Sequence, residues 1–167
     1  KILFLPLLIF DGDHLENDIK KIIKELNYSL KKKIILIKKI TLNEDIQEIY
    51  SKSLKKYLKK NSYNFLITSC SPSKKIKVLD ELKEYTKDIA KINRFDRSDF
   101  FQVGQEDIIF KKIKKTSSDK PLNIILHPIF LFKGFLYEKV CENFKKKFNN
   151  VRILEPIASQ KELAVII

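Results

Sequence analysis

The sequence has no methionine and no tryptophan, and it has only three glycines, two cysteines and two histidines. With so few glycines it contains neither G-x-G-x-x-G nor G-x-x-x-x-G-K-[ST], which disfavours dinucleotide and P-loop nucleotide binding. Cys70 and Cys141 show no metal-ligand spacing and no disulfide framework, a usage that suits a reduced, cytoplasmic setting. No apolar run approaches the roughly 18–20 residues that a membrane helix needs. The opening apolar run also lacks the charged lead and cleavage site of a secretory signal. Methionine is missing even at position 1, so the expectation is a longer protein incomplete at its amino end.

Arginine, the preferred reader of bases and phosphates, occurs only at Arg94, Arg97 and Arg152. Lysine is abundant, and the net charge is +13. That charge suits an acidic partner: nucleic acid, an anionic membrane, or a small molecule rich in carboxylates. The competing explanation is a solvated surface, because lysines occur in nearly every segment of the chain. Tyr and Phe fall mostly on strands and inner helix faces, which makes a stacking platform for single-stranded nucleic acid a weak expectation.

The stretch Lys1 to Ile19 holds most of the functional information. An apolar run containing Pro6 ends in the acidic turn Asp11-Gly12-Asp13, and His14, Glu16 and Asp18 follow. Such a run, stopped by glycine and acids, reads as a buried strand feeding a helix. His14 then lies at the carboxyl end of a strand, where α/β proteins usually bind ligands. Downstream, the hydrophobic pattern predicts strands over 33–40, 63–68, 99–103, 122–132 and 151–154. It predicts helices over 15–26, 44–60, 74–92, 106–115, 136–148 and 159–167. Inward positions are Ile46, Ile49, Tyr50, Leu54, Tyr57 and Leu58 in the second helix, and Ile76, Leu79, Leu82, Ile89 and Ile92 in the third. Strand and helix alternate throughout, which implies an α/β fold with parallel strands and helical crossovers.

The chain also repeats itself. Leu5-Pro6-Leu7-Leu8-Ile9-Phe10-Asp11-Gly12 resembles His127-Pro128-Ile129-Phe130-Leu131-Phe132-Lys133-Gly134, and both lead into an amphipathic helix. The expected organisation is therefore tandem: residues 1–61 as the back half of one module and residues 62–167 as a complete second module. A half-module cannot complete its own sheet.

Imidazole titrates near neutral pH and binds divalent ions, so His14 among four carboxylates is a candidate ligand or base. An exposed turn histidine beside capping acids is the plain alternative. His127, inside the strongest predicted strand, reads as a core histidine. Cys70 reads as part of a polar turn, and Cys141 as helix core.

Phe4-Leu5-Pro6 through Gly12-Asp13-His14 to Asp18-Ile19 resembles the signature of the sirohydrochlorin chelatases, the cobalt- and iron-inserting class: proline, an apolar run, Gly-x-His, then Asp-Ile. Pro128 to Gly134 resembles the matching stretch in the second half of tandem members, and Glu155 to Ala164 their closing segment. The resemblance implies a flavodoxin-like chelatase fold and insertion of Co²⁺ or Fe²⁺, as substrate, into sirohydrochlorin, with no organic cofactor. It implies His14 as catalytic proton acceptor and metal ligand, Glu16 as a second metal group, and Gly12, Lys133 and Gly134 as tetrapyrrole-binding positions. The family's other histidine belongs to the opening turn of the first module, ahead of Lys1. The equivalent turn of the second module, Thr68-Ser69-Cys70-Ser71, has no histidine, and Leu136 stands opposite His14. The second module thus reads as a structural wall. The partner expected is sirohydrochlorin, with no nucleic acid and no membrane span; a homodimer is left open. Two alternatives remain: a non-catalytic tetrapyrrole- or metal-binding relative, and a basic nucleic-acid-binding α/β domain.

Overall fold

The computed structural model describes residues 2–4, 9–10, 18–30, 33–36 and 44–160. Its elements are β1 (Ile2–Phe4), α1 (Lys20–Leu30), β2 (Ile34–Leu36), α2 (Glu44–Lys55), β3 (Tyr63–Cys70), α3 (Ile76–Asn93), β4 (Arg97–Gln102), α4 (Glu106–Lys114), β5 (Leu122–Pro128), α5 (Phe135–Lys147) and β6 (Arg152–Ile153). A 3-10 turn, Ile157–Ser159, follows. The strands form two parallel sheets, β1-β2 and β4-β3-β5-β6, so the expected α/β alternation with parallel pairing is present.

The larger sheet is built around β3 and β5, which are apolar nearly throughout and paired from Tyr63↔Leu122 to Ser69↔Pro128. Both strands are buried along almost their whole length, as a sheet covered on two faces requires. Alternate side chains go to opposite faces. Leu66, Cys70, Ile125 and Ile129 pack with α3 residues Val78, Leu82, Tyr85 and Ile89. Phe65, Ile67, Ile124, Leu126 and Phe130 pack with α4 residues Ile109 and Ile113 and α5 residues Val140, Cys141 and Phe144.

The predicted 122–132 strand stops at Pro128. Pairing ends with the Ile129 amide donating to the Ser69 carbonyl at 2.7 Å. Proline has no N–H to continue a ladder. In α3 the buried stripe is Val78, Leu82, Tyr85 and Ile89, whereas Ile76 and Ile92, expected inward, are 74% and 53% exposed. Leu79 is half-buried. The stripe is rotated because Tyr85 and Val78, which the pattern undervalued, occupy the inner face. The final predicted helix begins in the 3-10 turn, and its residues 161–167 lie outside the described set.

Among the described residues, helix α2 packs on the larger sheet rather than on the small sheet that precedes it. Ile46, Tyr50 and Leu54 are essentially fully buried in the same cluster as α3 and the β5 side chain Ile125. The Tyr50 hydroxyl donates to the Glu155 carbonyl at 3.3 Å, and the Ser53 hydroxyl meets the Gln160 amide oxygen at 3.3 Å. At the small sheet, α1 and the strands enclose an apolar groove of about 240 Å³ lined by Ile2, Phe4, Ile19, Ile22, Ile23, Leu26 and Ile34. Ile22 is 52% exposed there. Among the described residues, no helix is long and apolar enough to cross a membrane.

Candidate active site

Connectivity fixes where a ligand cleft can lie. The helix after β3 packs on one face of the larger sheet, and the helix after β5 packs on the other. β3 and β5 are neighbours, so their carboxyl-end connections diverge, the topology that forms a ligand crevice in open parallel sheets. Open parallel sheets bind ligands at such a switch point. The crevice is bounded by residues 71–75 after β3 and 129–134 after β5.

The first wall is closed to nucleophilic chemistry. Cys70 is fully buried, its thiol donates to the Ser71 carbonyl at 3.2 Å, and burial pushes its pKa up to about 12. A thiol held protonated at neutral pH is a poor nucleophile. The turn is held in place by Gln102, whose side-chain amide donates to the Ser73 carbonyl at 2.8 Å.

The second wall is pinned from below. The Ile157 and Ala158 amides donate to the carbonyls of Phe130 and Leu131 at 3.0 and 2.9 Å. Lys133 Nζ lies 2.7 Å from a Glu155 carboxylate oxygen, both side chains being more than half exposed. Gly134 is the N-cap of α5, in extended backbone, and its carbonyl accepts the Glu138 amide at 3.0 Å. Phe132 and Phe135, on either side of Lys133 and Gly134, are 58% and 76% exposed. The sequence pattern missed this, having placed most aromatics inward. The available signal was that Phe135 occupies the repeat position of Asp13, a turn residue.

Beneath the crevice, His127 is fully buried. Its Nε2 is 2.7 Å from the Tyr85 hydroxyl, and its ring lies 4.0 Å from that of Tyr50. Burial without a charged partner lowers its pKa to about 3, so it stays neutral. This is the core histidine the strand pattern implied. Desolvation also raises the pKa values of Tyr50 and Tyr85. Tyr50 grips the Glu155 carbonyl and Tyr137 the Leu154 carbonyl, so the backbone presenting Glu155, and through it Lys133, is fixed at two points.

His14, Gly12 and Glu16 lie outside the described residues. Their flanks are described. Ile9 is buried and Phe10 half-buried against the α2–α3 side of the larger sheet, in the cluster that contains Cys70, Ile129 and Ile157. Those three residues are at or beyond the carboxyl ends of β3, β5 and β6. Residues 11–17 follow this cluster in sequence, and the described chain resumes at Asp18, ahead of α1. Among the described residues, no three His, Cys, Asp or Glu side chains gather as a metal-ligand set.

The architecture is the chelatase fold: parallel sheets flanked by helices. Its solved counterparts are sirohydrochlorin chelatases. A structure of SirB from Bacillus subtilis with Fe³⁺ aligns over 97% of this chain with a TM-score of 0.77 and 15% identity. SirB from Bacillus subtilis subspecies spizizenii in complex with cobalt aligns over 93% with a TM-score of 0.66 and 15% identity. CbiX, described as the terminal enzyme for biosynthesis of siroheme in denitrifying bacteria, aligns over 98% with a TM-score of 0.68 and 9% identity. The chain spans 66% and 61% of the two SirB chains and 71% of CbiX. No protein-family model and no curated protein matches it by sequence.

Proposed function

We propose that this chain is part of a sirohydrochlorin chelatase, a lyase that inserts Co²⁺ or Fe²⁺ into the tetrapyrrole in siroheme or cobalamin biosynthesis. The observation that carries the reading is the alignment of 97% of this chain with a SirB structure, and the Gly12-Asp13-His14 motif supports it. Fold and motif are independent here, because the sequences share only 15% identity.

Insertion exchanges two pyrrole N–H protons for one divalent ion, so a base is needed close to the metal. His14 is the proton acceptor and a metal ligand, and Glu16 helps hold the incoming ion. Lys133 pairs with substrate carboxylates, and Gly12 and Gly134 give their turns room for the macrocycle. Exchange of the Lys133–Glu155 pair for a substrate carboxylate costs little, since exposed ion pairs contribute about 0–1 kcal/mol. A chain with net charge +13 attracts a polycarboxylate in solution.

The same reading divides the chain into residues 1–61, the back half of one module, and 62–167, a complete second one. The two separate sheets and the open apolar groove at β1-β2 support it, whereas α2, within residues 1–61, packs on the larger sheet.

Metal insertion is followed by the change in tetrapyrrole absorption on adding Co²⁺ or Fe²⁺. His14→Ala is expected to lower the rate at least a hundredfold with tetrapyrrole binding retained. Unchanged insertion would remove His14 from the chemistry. The second module's turn lacks a histidine, and this favours one other reading, a tetrapyrrole-binding relative without activity. Binding without insertion by the intact protein would select it.

A further inference from the structure

We infer that Phe132 and Phe135 form an aromatic edge to the crevice that takes the conjugated face of the tetrapyrrole, with Lys133 between them meeting its carboxylates. This rests on the chelatase reading and extends it to residues that no motif assigned.

Four observations converge. Both rings are largely exposed within four residues of the connection that leaves the carboxyl end of β5. Single exposed apolar side chains are ordinary, but two large rings flanking a cation at a ligand-binding edge are not. The turn is also pre-positioned. Its base is bonded to the Ile157 and Ala158 amides, its lysine is paired with Glu155, and its far end is the start of a 13-residue helix. Rings held out on a fixed backbone lose little freedom on binding.

The repeat shows that exposure is not imposed by the motif. Phe10, at the position of Phe132, is half-buried against the core, whereas Phe132 points to solvent. Phe135 stands where the first copy has Asp13. One turn carries acids and a histidine, suited to a cation and protons; the other carries rings and a lysine, suited to a flat acidic ligand. Finally, Gly134 has ordinary extended backbone, and a Cβ there would meet nothing within 4 Å, so the space beside it is open and the fold does not demand this glycine.

The test is binding of metal-free sirohydrochlorin to the full chain, followed by the ligand's own visible absorption and fluorescence. Phe132→Ser and Phe135→Ser are each expected to weaken binding about tenfold and the double variant more, while Phe135→Tyr stays within about twofold. In the insertion assay KM for the tetrapyrrole rises and kcat holds. Ile92→Ser, which removes a 53%-exposed side chain at the opposite end of α3, serves as the control for non-specific adsorption and is expected to change nothing. If the wild-type chain binds and the serine variants bind equally well with unaltered circular dichroism, the aromatic edge is wrong and the chelatase reading stands. Equal weakening by Ile92→Ser would likewise overturn it. If the wild-type chain fails to bind the tetrapyrrole, both fall together.

Discussion

At the scale of single residues, His127 shows how burial sets chemistry. The imidazole is enclosed by Tyr50 and Tyr85, and among the described residues its Nδ1 has no hydrogen-bond partner. Its pKa falls to about 3 from an unfolded value near 6.5. A group with a depressed basic pKa leaves the folded state neutral while the unfolded chain takes up a proton. Its contribution to stability is therefore fully present above about pH 6.5 and is lost progressively as pH falls towards 3. Between pH 7.5 and 4.5 this one residue is expected to lower stability by about 2–3 kcal/mol. Urea titrations of wild type and His127→Gln check it, because the carboxylates are common to both. Parallel profiles for the two proteins would show that the ring is accessible to protons.

A second residue-scale prediction concerns Arg94. It closes α3 in left-handed backbone at φ 58°, its amide bonded back to the Ala90 and Lys91 carbonyls. A side chain there costs roughly 1 kcal/mol relative to glycine. Arg94→Gly is expected to raise stability by about 0.5–1 kcal/mol, read as a shift of the denaturation midpoint with unchanged slope. A loss of stability would mean that the exposed Arg94 side chain makes a contact worth more than the strain.

Elements show what a hydrophobic period can and cannot say. Helix α2 was legible from Ile46, Ile49, Tyr50 and Leu54, all of which are buried, but it ends at Lys55 rather than at 60, and Tyr57 and Leu58 are half-buried beyond it. Its acids Glu44 and Asp45 in the first turn and Lys52 and Lys55 in the last suit the helix dipole. The surface it packs on was not legible. A period records that one face leaves water, and it is silent about the partner. By sequence order α2 follows β2; in space it lies on the larger sheet beside α3. A chain spanning residues 44–167 is therefore expected to melt higher than one spanning 62–167. The shorter chain uncovers the sites of Ile46, Tyr50 and Leu54, each worth about 1.5–3 kcal/mol of burial. Equal melting temperatures would show that α2 is not integral to the larger sheet's core.

For the molecule as a whole, the repeat and the sheet topology together bear on where chemistry sits. Two stretches of similar sequence recur in the chain, the second of them at the carboxyl end of β5. The flank of the first, Ile9 and Phe10, joins the core cluster that also holds Ile129 and Ile157 near the second. This packing brings Ile9 and Phe10, which precede His14 in the sequence, to the same end of the larger sheet as the β3 and β5 carboxyl ends. Distant parts of the sequence are combined there by hydrophobic burial, which no local spacing reveals.

The sequence by itself determined the alternation of strands and helices, because β-branched apolar runs and amphipathic repeats follow local periods. It also determined that His127 is a core residue, since it interrupts an otherwise continuous apolar run, and it singled out His14, Gly12 and Glu16 by their company of acids and glycine. Only the tertiary structure decided that α2 serves the second sheet, that α3 turns Ile76 and Ile92 outward, and that Phe132 and Phe135 are exposed at the crevice while Phe10 is tucked in. The physical reason is the same in each case. Local pattern fixes which side chains gain by leaving water, but the surfaces available to cover them exist only once β3 and β5 have paired.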